Sequence, residues 1–385
     1  METHIRHNVS EIAVRERYTV AAQAREETLC CPVDYEPQYL KVIPDEVHER
    51  DYGCGDPSRH VREGDTVLDL GSGSGKICFI AAQLAGPKGR VIGVDANEEM
   101  LALARRAAPV VAERLGFATV EFGRGRIQDL ALDLDRLDAW LKQHPVKSAA
   151  DLSALESEQV QLRRTAPLVA DGSIDLVVSN CVLNLVDDHE KGRLVREIFR
   201  VLKVGGRIAI SDIVSDEPVP QHLKDDPKLW TGCISGAFHE LYLLRELEAA
   251  GFHGIVIDQW ETKPFAVVEG IEFRSVTVTA HKGKQGPCYE ANQALIYAGP
   301  WRLVEDDDGH VLERGVRAAV CAKTFRLLTS APYASQTIPI LPRIPVPEEQ
   351  LKGFDCSRIT PRSPRETKGL EYRDTREPCA ADRCC

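Results

Sequence analysis

A glycine-rich turn is the part of the sequence whose residue types and spacing point most directly to ligand chemistry. Residues 67–75 read VLDLGSGSG, an apolar run that leads into glycines at positions 71, 73 and 75. A strand, such a turn and then a helix form the nucleotide-binding element of doubly wound α/β folds. The spacing is G-x-G-x-G with lysine at position 76, unlike the G-x-G-x-x-G fingerprint of dinucleotide sites. The turn therefore predicts a cofactor site that does not cradle a diphosphate.

An acid at the end of the next predicted strand supports this interpretation. Asp95 ends the run VIGVD, where a carboxylate can accept hydrogen bonds from both hydroxyls of a ribose. With Asp69 directly before the glycines, the pattern resembles class I S-adenosylmethionine (SAM) methyltransferases; a glycine turn of purely structural use is the alternative. The resemblance implies that Ile127 and Gln128 flank the adenine. The predicted cofactor-binding residues are Asp69, Gly71, Ser72, Gly73, Gly75, Asp95, Ala96, Ile127, Gln128 and Asn180.

Cysteines form the second group of candidate residues. The chain has 12 of them, and we expect mostly free thiols in a reducing compartment. Cys181 follows the fourth predicted strand, at the sheet edge where ligands bind. Cys78 lies in the first turn of the helix after the glycines, where the helix dipole would favour the thiolate. Cys54 and Cys233 lie in glycine-containing segments, and each cysteine taken singly is also compatible with a small buried apolar residue.

Together these segments resemble the arsenite SAM methyltransferases. The similarity spans about residues 30–280 and includes all four cysteines in their motifs. The segments that carry it are DYGCG (51–55), DLGSGSGKICF (69–79), VVSNCVLNLV (177–186), EIFRVLKVGGRIAISDI (197–213) and LWTGCISGA (229–237).

The resemblance implies a chemistry for these thiols. Trivalent arsenic is thiophilic and takes three ligands, whereas structural zinc takes four. By resemblance, Cys78, Cys181 and Cys233 would hold arsenite or its methylated forms, and the arsenic lone pair would attack the sulfonium methyl group. Cys54 and Cys78 would be left as a disulfide after reducing the oxidised arsenic, and thioredoxin or glutathione would restore them. No structural metal is expected.

Two other functions remain open at this stage. One is a SAM methyltransferase of a small organic acceptor, in which the cysteines are core residues; the other is a thiol-based metal-binding or sensor protein on a methyltransferase fold. The other cysteines have an accessory capture role, no role, or ordinary packing and surface positions: Cys30, Cys31, Cys288, Cys321, Cys356, Cys379, Cys384 and Cys385.

The elements that must position these groups alternate between strand and helix from about residue 66 to 213. This alternation predicts an α/β fold with a mostly parallel, doubly wound, Rossmann-like sheet. The predicted organisation is an N-terminal helical segment (1–45), a SAM-binding core (46–215) with a helical insertion (133–167), an arsenic-binding segment that completes the sheet (216–283), a C-terminal domain (284–347) and a mobile cysteine-containing tail (348–385).

Composition excludes several classes of partner. Asp and Glu total 59 against 48 Lys and Arg, and the resulting net charge of −11 disfavours nucleic acids and anionic membranes. No run of 18 apolar residues predicts a membrane span, and METHIRHNVSEIAVRER lacks the apolar centre of a secretory signal. We expect a cytoplasmic monomer, and the resemblance implies that its partners are arsenite, methylarsenicals and a thiol reductant.

Overall fold

The computed structural model describes residues 2–26, 33, 35–357 and 360–372, with the backbone only for residues 2–10. The chain divides into two compact units, Met1–Gly283 and Lys284–Cys385. In those described ranges, no helix is long and apolar enough to cross a membrane.

The first unit contains a nine-stranded sheet flanked by helices. Its strands are β1 (Thr66–Leu70), β2 (Arg90–Asp95), β3 (Val120–Arg124), β4 (Ile174–Asn180), β5 (Leu202–Ser215), β6 (Phe238–His239), β7 (Phe252–Trp260), β8 (Ala266–Val268) and β9 (Ile271–Lys282). Its helices are α1 (Glu2–Ala21), α2 (Pro37–Leu40), α3 (Asp45–Glu49), α4 (Lys76–Ala85), α5 (Glu98–Leu115), α6 (Leu134–Gln143), α7 (Ala149–Thr165), α8 (Asp188–Val201), α9 (Gln221–Lys224), α10 (Pro227–Thr231) and α11 (Glu240–Ala249).

The strand order confirms the predicted doubly wound sheet. The order is β3-β2-β1-β4-β5-β9-β7, in which β1 to β5 are parallel and β9 lies antiparallel between β5 and β7. The direction of winding reverses between β1 and β4. In open α/β sheets, ligands bind at such a reversal, beyond the carboxyl ends of the strands.

The apolar strand residues are divided between two cores. Leu68 and Leu70 of β1 pack in one cluster, whereas Val67 of the same strand packs with Val91 and Leu176 in the other. Successive side chains of a strand point to opposite faces, so a sheet covered on both sides needs continuous apolar runs. Burial of each such side chain stabilises the fold by about 1.5–3 kcal/mol. The packed strands in turn hold their carboxyl ends, where the site lies, in fixed positions.

The predicted helical insertion is present as α6 and α7. The Asp133 carboxylate accepts the backbone N–H groups of Asp135 and Arg136, and the Ser148 hydroxyl accepts that of Asp151. These side chains satisfy backbone donors that have no partner inside the first helical turn. The starts of both helices were therefore readable from local sequence.

The second unit is built from short strands and helices. These are β10 (Tyr289–Glu290), β11 (Ala294–Tyr297), β12 (Leu303–Glu305), β13 (Val311–Glu313), β14 (Arg317–Ala319), α12 (Ala322–Leu328), β15 (Thr337–Ile340), β16 (Lys352–Gly353) and α13 (Pro364–Lys368).

The expected mobile tail does not begin at residue 348. Strand β16 pairs with β10, and the buried guanidinium of Arg362 forms an ion pair with Glu290 at 2.7 Å. Because these contacts join residues 348–357 and 360–372 to the rest of the second unit, the expectation is wrong for them. Residues 373–385 lie outside the described part of the chain.

Candidate functional site

A cavity of about 480 Å³ opens at the carboxyl ends of β1, β2 and β4. Its size is typical of sites for small ligands and cofactors. All the cofactor-binding residues expected from the sequence line it except Gly75: Asp69, Gly71, Ser72, Gly73, Asp95, Ala96, Ile127, Gln128 and Asn180.

Asp95 orders the glycine-rich turn at one side of the cavity. Its carboxylate accepts the backbone N–H of Gly73 at 2.9 Å and that of Asn97 at 2.7 Å. Burial raises the pKa of Asp95, and these two backbone donors oppose the shift. The Ser72 hydroxyl is buried in the same wall and has no hydrogen-bond partner among the described residues. A carboxylate and an unpaired hydroxyl facing a cavity suit a ligand with hydroxyl and amino groups, as SAM has.

Gly75 acts on the backbone rather than on the ligand. Its φ is +90°, in the left-handed region that favours glycine, and a Cβ there would lie 2.8 Å from the ring of Phe122. Gly75 directly precedes α4, so it turns the chain into the helix without reaching the cavity. Gly75 is not among the residues that line the cavity, and its contact with the cofactor stays a prediction.

Cys78 does not lie with the other motif cysteines. Its side chain is fully buried in the core between the sheet and α4, and its thiol donates a hydrogen bond to Asp69 Oδ2 at 3.2 Å. Burial and the neighbouring Asp69 carboxyl raise the pKa of Cys78 well above its usual value. The expected thiolate is therefore wrong, because loss of water and a nearby acid outweigh the helix dipole.

The structure instead joins Cys54 to Cys181. These two residues form a disulfide with a Cα–Cα distance of 5.8 Å. The pairing of Cys54 with Cys78 that the resemblance implied is thus wrong in this structure, because Cys54 reaches the end of β4 rather than the start of α4. Cys181 also lines the cavity that is predicted to hold the methyl donor.

Asn180 holds the Cys54 loop in place. Its Oδ1 accepts the N–H groups of Cys54 and Gly55, at 2.8 and 3.1 Å, and its Nδ2 donates to the Gly55 carbonyl at 2.7 Å. A Cβ on Gly53 would lie 2.1 Å from Asn180 Nδ2, so the loop approaches too closely for any other residue there. Asn180 therefore positions a reactive cysteine in addition to lining the cofactor cavity.

Cys233 completes a group of three cysteines with Cys54 and Cys181. Its thiol donates to the Cys181 carbonyl at 3.0 Å, and all three residues belong to one apolar cluster with Ile213 and Phe273. Of the predicted set, Cys181 and Cys233 lie together in this cluster, whereas Cys78 lies in the core between the sheet and α4. In this group Cys181 and Cys233 are buried, and Cys54 is half-buried.

The backbone at two of these cysteines is strained. Cys181 and Cys233 have φ values of +58° and +61°, which residues other than glycine rarely adopt. The carboxylate of Asp212 accepts the N–H groups of Val182 and Leu183, at 3.1 and 2.9 Å, and so fixes the turn after Cys181. Strain that the surrounding structure enforces is typical of functional sites.

Helix α1 covers the site, which the sequence did not reveal. Tyr18 lines the cavity, and its hydroxyl is hydrogen-bonded to the Cys233 thiol. Burial is the larger cause and the neighbouring Cys233 the smaller cause of a raised pKa of the Tyr18 phenol. Arg17 ties the helix to α10 through the Thr231 hydroxyl at 2.8 Å. No motif marks these residues, because helix contacts across more than 200 positions leave no local signal.

Five cysteines lie outside the described residues: Cys30, Cys31, Cys379, Cys384 and Cys385. The possible capture role of the two adjacent pairs stays an expectation.

Family models divide the chain as the two units do. A methyltransferase domain matches residues 62–165 and 154–251, and a domain of unknown function matches residues 284–372.

The chain is similar in sequence to several arsenite methyltransferases. The chain is 34% identical over 324 residues to the arsenite methyltransferase of Aquipseudomonas alcaligenes, covering 79% of this chain and 82% of that protein. It is 38% identical over 208 residues to the arsenite methyltransferase of Halobacterium salinarum and 34% over 209 residues to that of Mus musculus, covering 42% and 46% of their lengths. The alignment with these last two spans less than half of each relative.

One solved structure supports the fold. The arsenic(III) S-adenosylmethionine methyltransferase from Chlamydomonas reinhardtii superposes with a TM-score of 0.55 at 27% identity, covering 84% of this chain and all of that one.

Proposed function

The chain belongs to the arsenite methyltransferase family, and from this premise we propose that Cys54, Cys181 and Cys233 bind the trivalent arsenic that it methylates with SAM. This revises the ligand set expected from sequence by replacing Cys78 with Cys54. The observation that carries the proposal is the meeting of these three cysteines beside the cofactor cavity.

Their geometry supports a common ligand. Cys181 is bonded to Cys54 and accepts a hydrogen bond from Cys233, and it also lines the cavity. Once the disulfide is reduced, three sulfurs can face one ion. Three thiolates suit trivalent arsenic, which is soft and keeps a lone pair in place of a fourth ligand.

Methyl transfer from SAM to the bound arsenic then depends on how the two reactants are positioned. SAM, when bound, supplies an electrophilic methyl group on its sulfonium. Tyr18 and the apolar residues around the cysteines exclude water, and the hydrogen bond from the Cys233 thiol to the Cys181 carbonyl keeps these two residues together. No proton leaves an arsenic lone pair when it attacks, so the protein needs no general base and acts through proximity.

The Cys54–Cys181 disulfide is consistent with the step in which the oxidised arsenic is reduced after methyl transfer. Each methyl transfer takes two electrons formally from arsenic, and two thiolates return them by forming one disulfide. An external thiol, such as thioredoxin or glutathione, then reduces that disulfide by exchange through a mixed disulfide. The bond between Cys54 and Cys181 is the product expected of this step.

Turnover without a reductant is therefore expected to stop early. Fully reduced protein, freed of small thiols and given arsenite and SAM, forms about one methylarsenical per chain, because one disulfide balances one transfer. Adding thioredoxin or glutathione restarts the reaction. Product is quantified by arsenic speciation and the disulfide by peptide mapping. Sustained turnover without reductant would contradict this scheme, and a Cys54–Cys78 bond in the stopped protein would restore the original pairing.

Substitution Asp95→Asn is expected to weaken SAM binding at least about 10-fold. It replaces a charged acceptor and turns an amide N–H₂ toward a backbone N–H of the glycine-rich turn, and charge-assisted hydrogen bonds contribute about 1.5–3 kcal/mol. Titration calorimetry measures the affinity. Glu113→Gln, at an exposed position of α5, is the matched control and should bind SAM as the parent does. Equal affinities in the two variants would rule out the role of Asp95.

The cytoplasmic location and the monomeric state stay predictions. Family membership favours the arsenic methyltransferase over the organic-acceptor and sensor alternatives.

A further inference from the structure

A second cluster of three cysteines lies in the unit Lys284–Cys385. The sulfur atoms of Cys288, Cys321 and Cys356 all lie within 4.8 Å of one another. Each of the three residues offers one sulfur, so the group could hold one ion. None of the three is in a disulfide.

The fold of this unit builds the cluster from three separate segments. Cys288 directly precedes β10 and Cys356 follows β16, and the two strands pair side by side, with Phe354 N–H donating to the Cys288 carbonyl at 2.9 Å. Cys321 directly precedes α12, which packs against β10. The Arg362–Glu290 ion pair adds a further link at β10. Backbone pairing therefore positions the sulfurs.

Hydrogen bonds fix the position of one of the three sulfurs. Cys321 is fully buried, and its sulfur accepts the N–H of Thr324 at 3.3 Å and lies 3.2 Å from the Thr324 hydroxyl. These contacts hold the Cys321 sulfur at the start of α12, within reach of the sulfurs of Cys288 and Cys356.

The number and type of donors discriminate between ions. Sulfurs around a shared ion at about 2.3 Å lie at most about 4 Å apart, so small side-chain rotations would close the cluster. Structural zinc takes four ligands, and the described part of the chain offers three here. Three sulfurs suit trivalent arsenic.

We propose that Cys288, Cys321 and Cys356 form a second arsenic(III)-binding site, separate from the one at which methyl transfer occurs. Its ligand class is the trivalent, three-coordinate arsenical, with arsenite as the simplest member. Cys288 and Cys356 are half-exposed, so arsenite enters from their side and Cys321 forms the floor. The site lies in the unit that matches a domain of unknown function.

The test isolates this cluster in the full chain. The parent variant carries Cys181→Ser and Cys233→Ser to disable the catalytic ligands, and serine at 30, 31, 379, 384 and 385 to remove other dithiols. Reduced protein is equilibrated with arsenite, separated from unbound ion, and analysed for arsenic and zinc by mass spectrometry. We expect about one arsenic per chain, with three sulfurs and no oxygen in its X-ray absorption spectrum.

Adding Cys321→Ser or Cys356→Ser to this parent should lower retained arsenic at least about 10-fold. Cys356 is half-exposed, so its variant keeps the test informative even if serine at the buried position 321 disturbs folding. Thermal unfolding followed by circular dichroism reports on the fold of both variants. Undiminished arsenic in the well-folded Cys356→Ser variant would overturn the proposal. So would stoichiometric zinc that arsenite does not displace. Because two of the three proposed catalytic ligands, Cys181 and Cys233, are replaced in every variant, failure here and failure of the proposed function are distinguishable.

Discussion

Replacement of Cys233 or Cys181 by serine is expected to lower arsenite methylation about 100-fold or more while SAM affinity stays within about twofold of wild type. Serine removes the soft sulfur ligand but keeps the shape of the side chain, and misplacement of a reactant by 1 Å can cost about 100-fold in rate. Cys233 does not line the cofactor cavity, so its effect should fall on arsenic alone.

The measurement is methylarsenical formation with saturating SAM and reductant, beside SAM titration of the same protein. Ser153→Ala provides the control, because it changes one small side chain at an exposed position of α7, outside both cysteine groups. Turnover near wild type in Cys233→Ser would reject its role as a ligand. Loss of SAM binding in that variant would instead indicate a folding defect.

Cys54→Ser is expected to abolish multiple turnover, whereas Cys78→Ser should retain most of it. Cys54 is joined to Cys181, so its removal deletes both an arsenic ligand and one partner of the redox disulfide. Cys78 donates a hydrogen bond to Asp69 from inside the core, and a serine hydroxyl can make the same bond. We expect at least about a 100-fold loss for the first variant, on the same positional grounds as for Cys233, and a loss within about threefold for the second.

Comparing these two variants tests the revised ligand set directly. Both remove one sulfur of a motif cysteine, so general effects of cysteine loss cancel between them. A well-folded, SAM-binding Cys78→Ser protein without activity, beside an active Cys54→Ser protein, would restore the assignment made from the sequence. Thermal unfolding of both variants checks that a loss of activity is not caused by a loss of folded protein.

The cofactor site was predictable because its determinants are local. A strand, its glycine turn and the following helix are contiguous in sequence, and the acid at the end of the next strand stands in a fixed relation to them. Asp95 consequently lies where the pattern indicates, with the Gly73 N–H bound to its carboxylate. The parallel sheet followed from the same alternation of strands and helices.

Coverage of the site by α1 was not predictable in this way. Tyr18 reaches the Cys233 thiol across the fold, and the polar sequence of the helix gives no hint of that contact. The complete burial of the Cys78 side chain was not predictable either. Its position in the motif suggested a helix start that a ligand could reach, whereas the side chain lies in the core beside the sheet. Both features depend on packing between distant segments.

The sequence by itself determined that this protein has a SAM site and that cysteines in arsenite methyltransferase motifs stand near it. Tertiary structure decided which cysteines meet. Asn180 draws the Cys54 loop to Cys181, while the pairing of β10 with β16 gathers Cys288, Cys321 and Cys356. A sulfur ligand set is defined by distances of a few ångströms in space, and residues far apart in the chain acquire those distances only when the strands and loops that carry them have packed.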